Sequence, residues 1–381
     1  MRAYALIALV AALVTFGATW AVLKLAHKYK IYPAIRSRDV HTKPTPRLGG
    51  LAMMIGFATA IGVAALLGWF HSVFVDPTKV VTILICAIAI NLLGFFDDLY
   101  DLDWTLKLAG QFLVAGLLAW QGVQIVSLPI AGLTIGSFGT SLVVTVFVTV
   151  LVMNAVNFID GLDGLVAGVV LIGTVVFFAY AYLLTQQTSP TDYFNLATLI
   201  SAIVIGCCVG FLPWNWHRAK IFMGDGGALL LGLLMSASAL TVTGQIDPQL
   251  TTRSTSVPAF LPLILPLAIL VLPLLDFTLA VLRRLKAGKS PFAADRKHIH
   301  HRLQDFGHSH LGSVLVFYLW TALISISCLL LFLIPGEQVW WFAIPGFIAT
   351  LAYTLWPVFS SPAKAFSAES ATNSERENTN D

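Results

Sequence analysis

The chain has 381 residues, of which 57% are hydrophobic and only 11% are charged. Soluble domains carry about 25% charged residues, so the composition excludes a soluble protein and predicts an all-α integral membrane protein. The formal net charge of +3 says little by itself, because the placement of charges matters more than their sum. The four cysteines lie within apolar runs and suggest neither a disulfide framework nor a zinc site.

Apolar runs long enough to cross a bilayer, which takes about 20 residues, recur along the chain. The first run follows Arg2 and is longer than the apolar part of a signal peptide, so we interpret it as a retained helix. The sequence predicts about eleven transmembrane helices, centred near residues 14, 60, 87, 115, 147, 175, 203, 233, 270, 322 and 347.

Lysine and arginine predict the orientation of these helices, because both residues are enriched on the cytoplasmic side of membrane proteins. If the N-terminus lies outside, 19 of the 22 Lys and Arg residues are cytoplasmic. We therefore expect an outside N-terminus and a cytoplasmic C-terminus, with residues 1–358 forming one polytopic transmembrane domain. Residues 359–381 are polar and are predicted to be a disordered cytoplasmic tail.

Five polar motifs interrupt the apolar pattern, and the predicted topology places all of them at the cytoplasmic face. Charged side chains within membrane segments are rare and usually functional, and a random arrangement would use both faces. Their convergence predicts one active site at the inner membrane surface. The motifs are TPRLGG (45–50), GFFDDLYD (94–101), NAVNFIDGLDGL (154–165), FMGDGG (222–227) and KSPFAADRKHIHHRL (289–303).

The acidic motif places Asp97, Asp98, Asp101 and Asp103 within seven residues, and Lys107 follows at the head of the next apolar run. Carboxylates this close repel one another unless a cation neutralises them, and Mg²⁺ typically binds one or two carboxylates together with phosphates and water. A solvated acidic loop that merely ends the helix is the alternative interpretation.

In the next motif, Asn154, Asn157, Asp160 and Asp163 recur at every third residue. Each step of three turns the side-chain direction back by about 60° around a helix, so neighbours share a face while the first and last oppose. The two glycines of the motif favour a break near the membrane surface. Two amides and two carboxylates suit a phosphate-bearing ligand rich in hydroxyls, whereas a polar, capped helix end is the alternative.

Asp225 stands between glycines at the start of an apolar helix, directly after Gly224. Helix starts bind anions, but an Asp there is also a common N-cap, and on the motif alone the N-cap is favoured. Phe222 is an aromatic residue that could stack on a nucleobase.

The basic motif combines Arg302 with His298, His300 and His301. Contact with anionic lipid headgroups accounts for part of this charge. A zinc site is a weaker interpretation, because no Cys or fourth ligand lies nearby in the sequence. Clustered Arg and His side chains that face a diphosphate are the more economical interpretation.

Taken in this order, the five motifs resemble the polyprenyl-phosphate N-acetylhexosamine-1-phosphate transferase family over about residues 36 to 310. The histidine motif is similar to the undecaprenyl- and decaprenyl-phosphate N-acetylglucosaminyl 1-phosphate transferases, which use UDP-N-acetylglucosamine. The resemblance implies a multi-pass enzyme of the bacterial plasma membrane that transfers N-acetylglucosamine 1-phosphate to a polyprenyl phosphate and releases UMP. It further implies Mg²⁺, or Mn²⁺, as the cofactor and leaves a homodimer open.

Motifs and resemblance together predict individual roles, and the resemblance replaces the N-cap interpretation of Asp225 with metal binding. The predicted catalytic residues are Asp97, Asp98, Lys107, His300 and His301. The predicted substrate-binding residues are Lys43, Asn154, Asn157, Asp160, Asp163, Phe222, Gly224 and Arg302. The predicted metal ligands are Asp225 and Asp98.

Two alternative functions remain at the level of the sequence. A phospho-N-acetylmuramoyl-pentapeptide transferase would run the same reaction with a different donor. An ion-coupled transporter would need acids near the middle of the bilayer, and only Asp276 fits that requirement. We expect Asp276 to pair with a neighbouring helix instead.

Overall fold

The computed structural model describes residues 1–32, 45–125, 137–188, 194–243, 271–286 and 299–360, together with residues 265, 268 and 288. Over these residues the regular structure is helical, with one short 3₁₀ turn at Gly68–Phe70. The helices are α1 (Arg2–Tyr29), α2 (Gly49–Leu66), α3 (His71–Phe74), α4 (Thr78–Tyr100), α5 (Trp104–Trp120), α6 (Phe138–Phe158), α7 (Leu165–Thr188), α8 (Leu196–Asn215), α9 (Gly224–Thr243), α10 (Val271–Lys286), α11 (Ile299–Asp305), α12 (His310–Leu333) and α13 (Gly336–Ser360).

Nine of the described helices are long and apolar enough to cross a membrane, namely α1, α2, α4, α6, α7, α8, α9, α12 and α13. Each contains one of the predicted centres, so the prediction of a multi-pass membrane protein is confirmed. The centre near residue 115 falls in α5, which is apolar but spans only Trp104–Trp120. The centre near residue 270 falls among residues that are only partly described. The count of eleven and the orientation stay predictions.

Helix α9 lies at the centre of the bundle. It packs against α2, α4, α6 and α8, while α1 and α7 cover the outer side of α8. In its apolar stretch 89% of the residues are buried, against 6% in α13, which presents large apolar side chains outward. The start of α9 is therefore surrounded by the ends of several other helices, so polar residues there can meet.

Glycine allows two helices to touch the start of α9. A Cβ atom added to Gly50 on α2 would overlap the backbone of Gly226 and Gly227, and one added to Gly94 on α4 would overlap Asp225 and Gly226. Only residues without a side chain permit backbones to approach this closely. These contacts set the position of α9 relative to α2 and α4.

The segment that precedes α9 is hydrogen-bonded to the start of α2 and to the residues just before it. Gly49 N–H donates to the carbonyl of Phe222 at 2.9 Å, and Phe222 N–H donates to the carbonyl of Pro46 at 2.9 Å. Gly50 N–H donates to the carbonyl of Met223 at 2.8 Å. The motifs TPRLGG and FMGDGG, far apart in the sequence, therefore form one structural unit.

Asp276 on α10 is fully buried, and its Oδ1 accepts a hydrogen bond from the backbone N–H of Ile299 at 3.0 Å. The expectation that Asp276 pairs with a neighbouring helix is confirmed, since Ile299 begins α11. At the C-terminus, α13 continues to Ser360, and the remainder of the predicted tail lies outside the described residues.

Candidate active site

Carboxylates from two helices meet around one lysine. The ammonium of Lys107, in the first turn of α5, lies 2.9 Å from Oδ2 of Asp97 and also contacts Oδ2 of Asp225. Asn157, near the end of α6, donates from Nδ2 to Oδ1 of Asp225 at 2.9 Å. Four helices thus each contribute a side chain to this carboxylate–lysine cluster, and the sequence had predicted a role for all four residues.

The local fold holds Asp97 in place from two sides. Helix α4 ends at Tyr100, and Asp101 follows with a left-handed backbone at φ 52°. This turn brings the N–H of Leu102 to Oδ1 of Asp97 at 3.0 Å, while Lys107 binds the other oxygen. Both oxygens of Asp97 are therefore oriented before any ligand arrives.

Asp98 faces the first turn of α9. Its side chain is buried, and the N–H of Gly226 lies 3.5 Å from its Oδ2. Gly224 has φ +69°, and a Cβ atom there would collide with the Asp98 carboxylate. Glycine is required at this position both for the backbone conformation and for the space that Asp98 occupies.

Asp225 does not act as the N-cap that its motif alone favoured. It lies in the first turn of α9, after Gly224, and both of its carboxylate oxygens engage side chains from other helices. The physical reason is the tertiary packing, which surrounds the helix start with Lys107 and Asn157. Sequence spacing alone carries no information about these distant partners.

The cluster carries more negative than positive charge. Asp160, in the turn between α6 and α7, adds a further carboxyl group that interacts electrostatically with Asp98 and Asp225. Burial, the main cause, and the charge of Asp225 raise the pKa of Asp160 to about 7, although the Arg47 guanidinium acts in the opposite direction. All these groups offer oxygen atoms, the donors that Mg²⁺ and Mn²⁺ prefer, so the residues fit a divalent cation of this type.

The members of the NAVNFIDGLDGL motif contact different partners, as their spacing predicts. Asn154 donates from Nδ2 to Gln111 on α5 at 2.5 Å, whereas Asn157 reaches Asp225. Helix α6 ends at Phe158, and the break before α7 ends at Gly164 with φ +75°. The predicted glycine break is confirmed, and the predicted substrate role of Asn154 stays a prediction.

Asp163 faces a different set of partners from the carboxylate–lysine cluster. Its Oδ2 accepts the N–H of Ala219 at 3.1 Å and lies 3.4 Å from Nδ1 of His217. Its own backbone N–H donates to Nε2 of His310 at 3.3 Å. The first and last motif members therefore diverge, as expected from steps of three residues.

The structure describes only some of the remaining predicted residues. Phe222 is half-buried in the segment before α9, and Arg302 is exposed on α11. Lys43 lies outside the described residues. His300 and His301 belong to α11 by their backbone, but their side chains lie outside the described part of the structure. The roles predicted for these residues stay predictions.

Several residues that make contacts at or near the site were not predicted from the sequence. Asn91, fully buried on α4, donates from Nδ2 to the carbonyl of Gly226 at 3.1 Å, and Gln111 accepts from Asn154. Both are single amides within apolar runs, a placement that usually marks function or helix pairing and could have revealed them. His217 and His310 carry no such signal, because each stands outside any motif.

These features define a polytopic membrane protein with a carboxylate–lysine cluster at one end of its helical bundle. Residues 80–243, which include every member of that cluster, match the model of glycosyl transferase family 4. The chain is 38% identical over 344 residues to the decaprenyl-phosphate N-acetylglucosaminephosphotransferase of Mycolicibacterium smegmatis, covering 88% of this chain and 84% of that protein.

Two further relatives carry the names of the two types of transferase that the sequence left open. The probable undecaprenyl-phosphate N-acetylglucosaminyl 1-phosphate transferase of Bacillus subtilis is 37% identical over 315 residues, covering 81% of this chain and 80% of that protein. The phospho-N-acetylmuramoyl-pentapeptide-transferase of Desulforudis audaxviator is 31% identical over 268 residues, covering 62% and 75%. The chain belongs to glycosyl transferase family 4, and its resemblance to the polyprenyl-phosphate N-acetylglucosamine phosphotransferases is confirmed.

Proposed function

We propose that this protein transfers N-acetylglucosamine 1-phosphate from UDP-N-acetylglucosamine to a polyprenyl phosphate and releases UMP. The carboxylate–lysine cluster is the observation that carries the proposal, because Asp97, Lys107, Asn157 and Asp225 meet there from four helices. Relatives named for transfer of N-acetylglucosamine phosphate match over 80% or more of the chain, which favours this donor over the muramoyl-pentapeptide donor.

The proposed location is the cytoplasmic face of a bacterial plasma membrane, where the reaction would begin a cell-envelope polysaccharide. The excess of Lys and Arg on one side of the predicted topology supports this orientation. The donor is water-soluble and the acceptor is a lipid, so a site at the end of the bundle suits both reactants.

Charge neutralisation is the central requirement of the reaction. Both the lipid phosphate and the UDP-sugar are anionic, and a set of carboxylates alone would repel them. A divalent cation, Mg²⁺ or Mn²⁺, would be held by Asp98 and Asp225 with Asp97 beside them, and it would neutralise the diphosphate. Lys107 supplies a second positive charge that Asp97 and Asp225 hold in a fixed direction.

In the proposed reaction an oxygen of the lipid phosphate attacks the β-phosphorus of the donor. A new phosphorus–oxygen bond forms to the lipid, the bond to the bridging oxygen breaks, and UMP leaves with the electron pair. The second pKa of a phosphate lies near 6, so the lipid phosphate is already largely deprotonated at neutral pH. A strong general base is therefore unnecessary, and Asp97 and Asp98 are free to orient the cation and the acceptor. A covalent aspartyl-phosphate is the competing route.

Label transfer tests the proposal. Membranes that contain the protein are incubated with polyprenyl phosphate and UDP-N-acetylglucosamine labelled in its β-phosphate, with and without Mg²⁺. We expect metal-dependent label in the lipid, UMP release, and loss of both in Asp225→Asn. Asp76→Asn, an identical change at an exposed acid outside the cluster, is the matched control. The same assay is run in parallel with the muramoyl-pentapeptide donor. Transfer from that donor alone would overturn the choice of donor. Transfer from neither donor by folded protein would overturn the enzyme assignment.

A further inference from the structure

A second cluster of ligating side chains lies apart from the carboxylate–lysine cluster. Asp163 comes from the turn before α7, His217 from the loop after α8, and His310 from the first residue of α12. One ligand atom from each lies within 4.8 Å of the others. The imidazole rings of His217 and His310 are 4.7 Å apart between centroids. We call these three residues the histidine–aspartate cluster.

The donor set differs from that of the first cluster in a way that selects a different metal. Two imidazole nitrogens and one carboxylate oxygen are the ligands of many Zn²⁺ sites, whereas Mg²⁺ prefers oxygen alone. Zinc bonds of about 2.0–2.2 Å in a tetrahedral arrangement place neighbouring donors roughly 3.3–3.5 Å apart. Oδ2 of Asp163 and Nδ1 of His217 are 3.4 Å apart, which matches this separation.

The protonation state and surroundings of the cluster also suit a metal. Nε2 of His310 accepts a long hydrogen bond of 3.3 Å from the backbone N–H of Asp163, so this nitrogen is unprotonated, and a metal bound to it would replace that hydrogen bond. The side chain of Asp163 is fully buried, and the N–H of Ala219 orients its Oδ2. Ligand orientation by such an outer hydrogen bond is a regular feature of metal sites.

The cluster is open on one side. The side chain of His217 is 35% exposed, so solvent or a ligand can reach the position that three protein donors leave unfilled. Three protein ligands would leave one position open, unlike a structural zinc site, in which four protein ligands complete the coordination. The metal would enter from the same side as soluble substrates.

We infer that Asp163, His217 and His310 form a binding site for a transition-metal ion of the Zn²⁺ type, and that the bound metal inhibits the transferase. The inhibitory part rests on the proposed function and on the sequence prediction that Asp163 binds the substrate, here taken as the nucleotide of the donor. Metal coordination would withdraw the Asp163 carboxylate from the nucleotide, so the metal and the donor would compete.

Binding is tested on the purified full-length protein in detergent, with Mg²⁺ in excess to occupy the oxygen-donor cluster. Co²⁺ serves as the probe, because a tetrahedral Co²⁺ site absorbs strongly in the visible region. We expect one Co²⁺ that Zn²⁺ displaces, and loss of this band in His217→Gln and in His310→Gln. His308→Gln is the matched control, because His308 is close in sequence but bonds to the carbonyl of Thr354 at 2.9 Å.

A double change of His300 and His301 to Gln separates this site from the histidine motif. Retention of the Co²⁺ band in that double variant supports the inference. Equal bands in the wild type and in His217→Gln would overturn the site, and His217 is exposed enough that its replacement should not prevent folding.

Inhibition is tested separately through the label-transfer assay. We expect Zn²⁺ to raise the apparent KM for UDP-N-acetylglucosamine in the wild type, and at least tenfold more Zn²⁺ to be needed in His217→Gln. A displaceable Co²⁺ band without any effect of Zn²⁺ on KM would overturn the inhibitory part alone. Because the Co²⁺ band needs no substrate, failure of the proposed function would leave the binding result intact.

Discussion

Replacement of Gly94 by alanine tests whether the close contact between α4 and α9 sets the geometry of the carboxylate–lysine cluster. The added Cβ atom would lie 2.6 Å from the carbonyl carbon of Asp225 and would also overlap Gly226. Carbon atoms in favourable contact are about 3.5 Å apart or more, so the two backbones must separate by roughly 1 Å. That movement would carry Asp225 away from Asp97 and Asp98.

The expected effect on activity is larger than the effect on folding. A misplacement of about 1 Å in catalytic groups costs on the order of 100-fold in rate. Overpacking a well-packed contact costs about 1–3 kcal/mol, and the better helix propensity of alanine offsets about 0.5–1 kcal/mol of this. We therefore expect Gly94→Ala to remain folded, with a slightly lower Tm, and to lose about 99% of its transfer rate.

Gly116→Ala is the matched control, because a Cβ atom at Gly116 on α5 would meet nothing within 4 Å. Both variants are compared by thermal unfolding in detergent and by label transfer at saturating donor, acceptor and Mg²⁺. A transfer rate for Gly94→Ala within threefold of the control would refute the argument that this contact fixes the site.

Three further outcomes follow from named contacts. Lys107→Met leaves Asp97 and Asp225 without their shared ammonium, and we expect a loss of about 100-fold or more in transfer rate, with Lys79→Met as the control. Asn91→Leu removes the donor to the carbonyl of Gly226, which costs about 1–3 kcal/mol and should lower the Tm and raise the Mg²⁺ concentration for half-maximal transfer. Asp160 has a pKa raised to about 7, so the folded protein holds a proton that the unfolded chain releases near pH 4. The Tm of metal-free protein should therefore fall as the pH rises toward 7, and Asp160→Asn should flatten this dependence; an unchanged slope in that variant would contradict the assignment.

The sequence alone determined the class of protein and predicted a role for all four residues of the carboxylate–lysine cluster. Apolar runs of membrane length predicted the helices, because a bilayer leaves helices or closed barrels as the only spanning structures. Acids, amides and glycines at the ends of those runs were recognisable because such residues are costly there and have no structural reason to cluster. The helix break at the glycines after Asn157 was also predictable from the sequence, because glycine and chain periodicity act locally.

Only the tertiary structure decided which of these residues meet. Lys107 and Asp225 belong to different helices, and nothing in their separate motifs shows that one ammonium lies between Asp97 and Asp225. The N-cap interpretation of Asp225 failed for this reason, because local propensity cannot register a partner supplied by another helix. His217 and His310 likewise have meaning only in three dimensions, where packing brings two unremarkable histidines to Asp163. Spacing along one segment fixes which way a side chain points, but the packing of helices fixes what it meets.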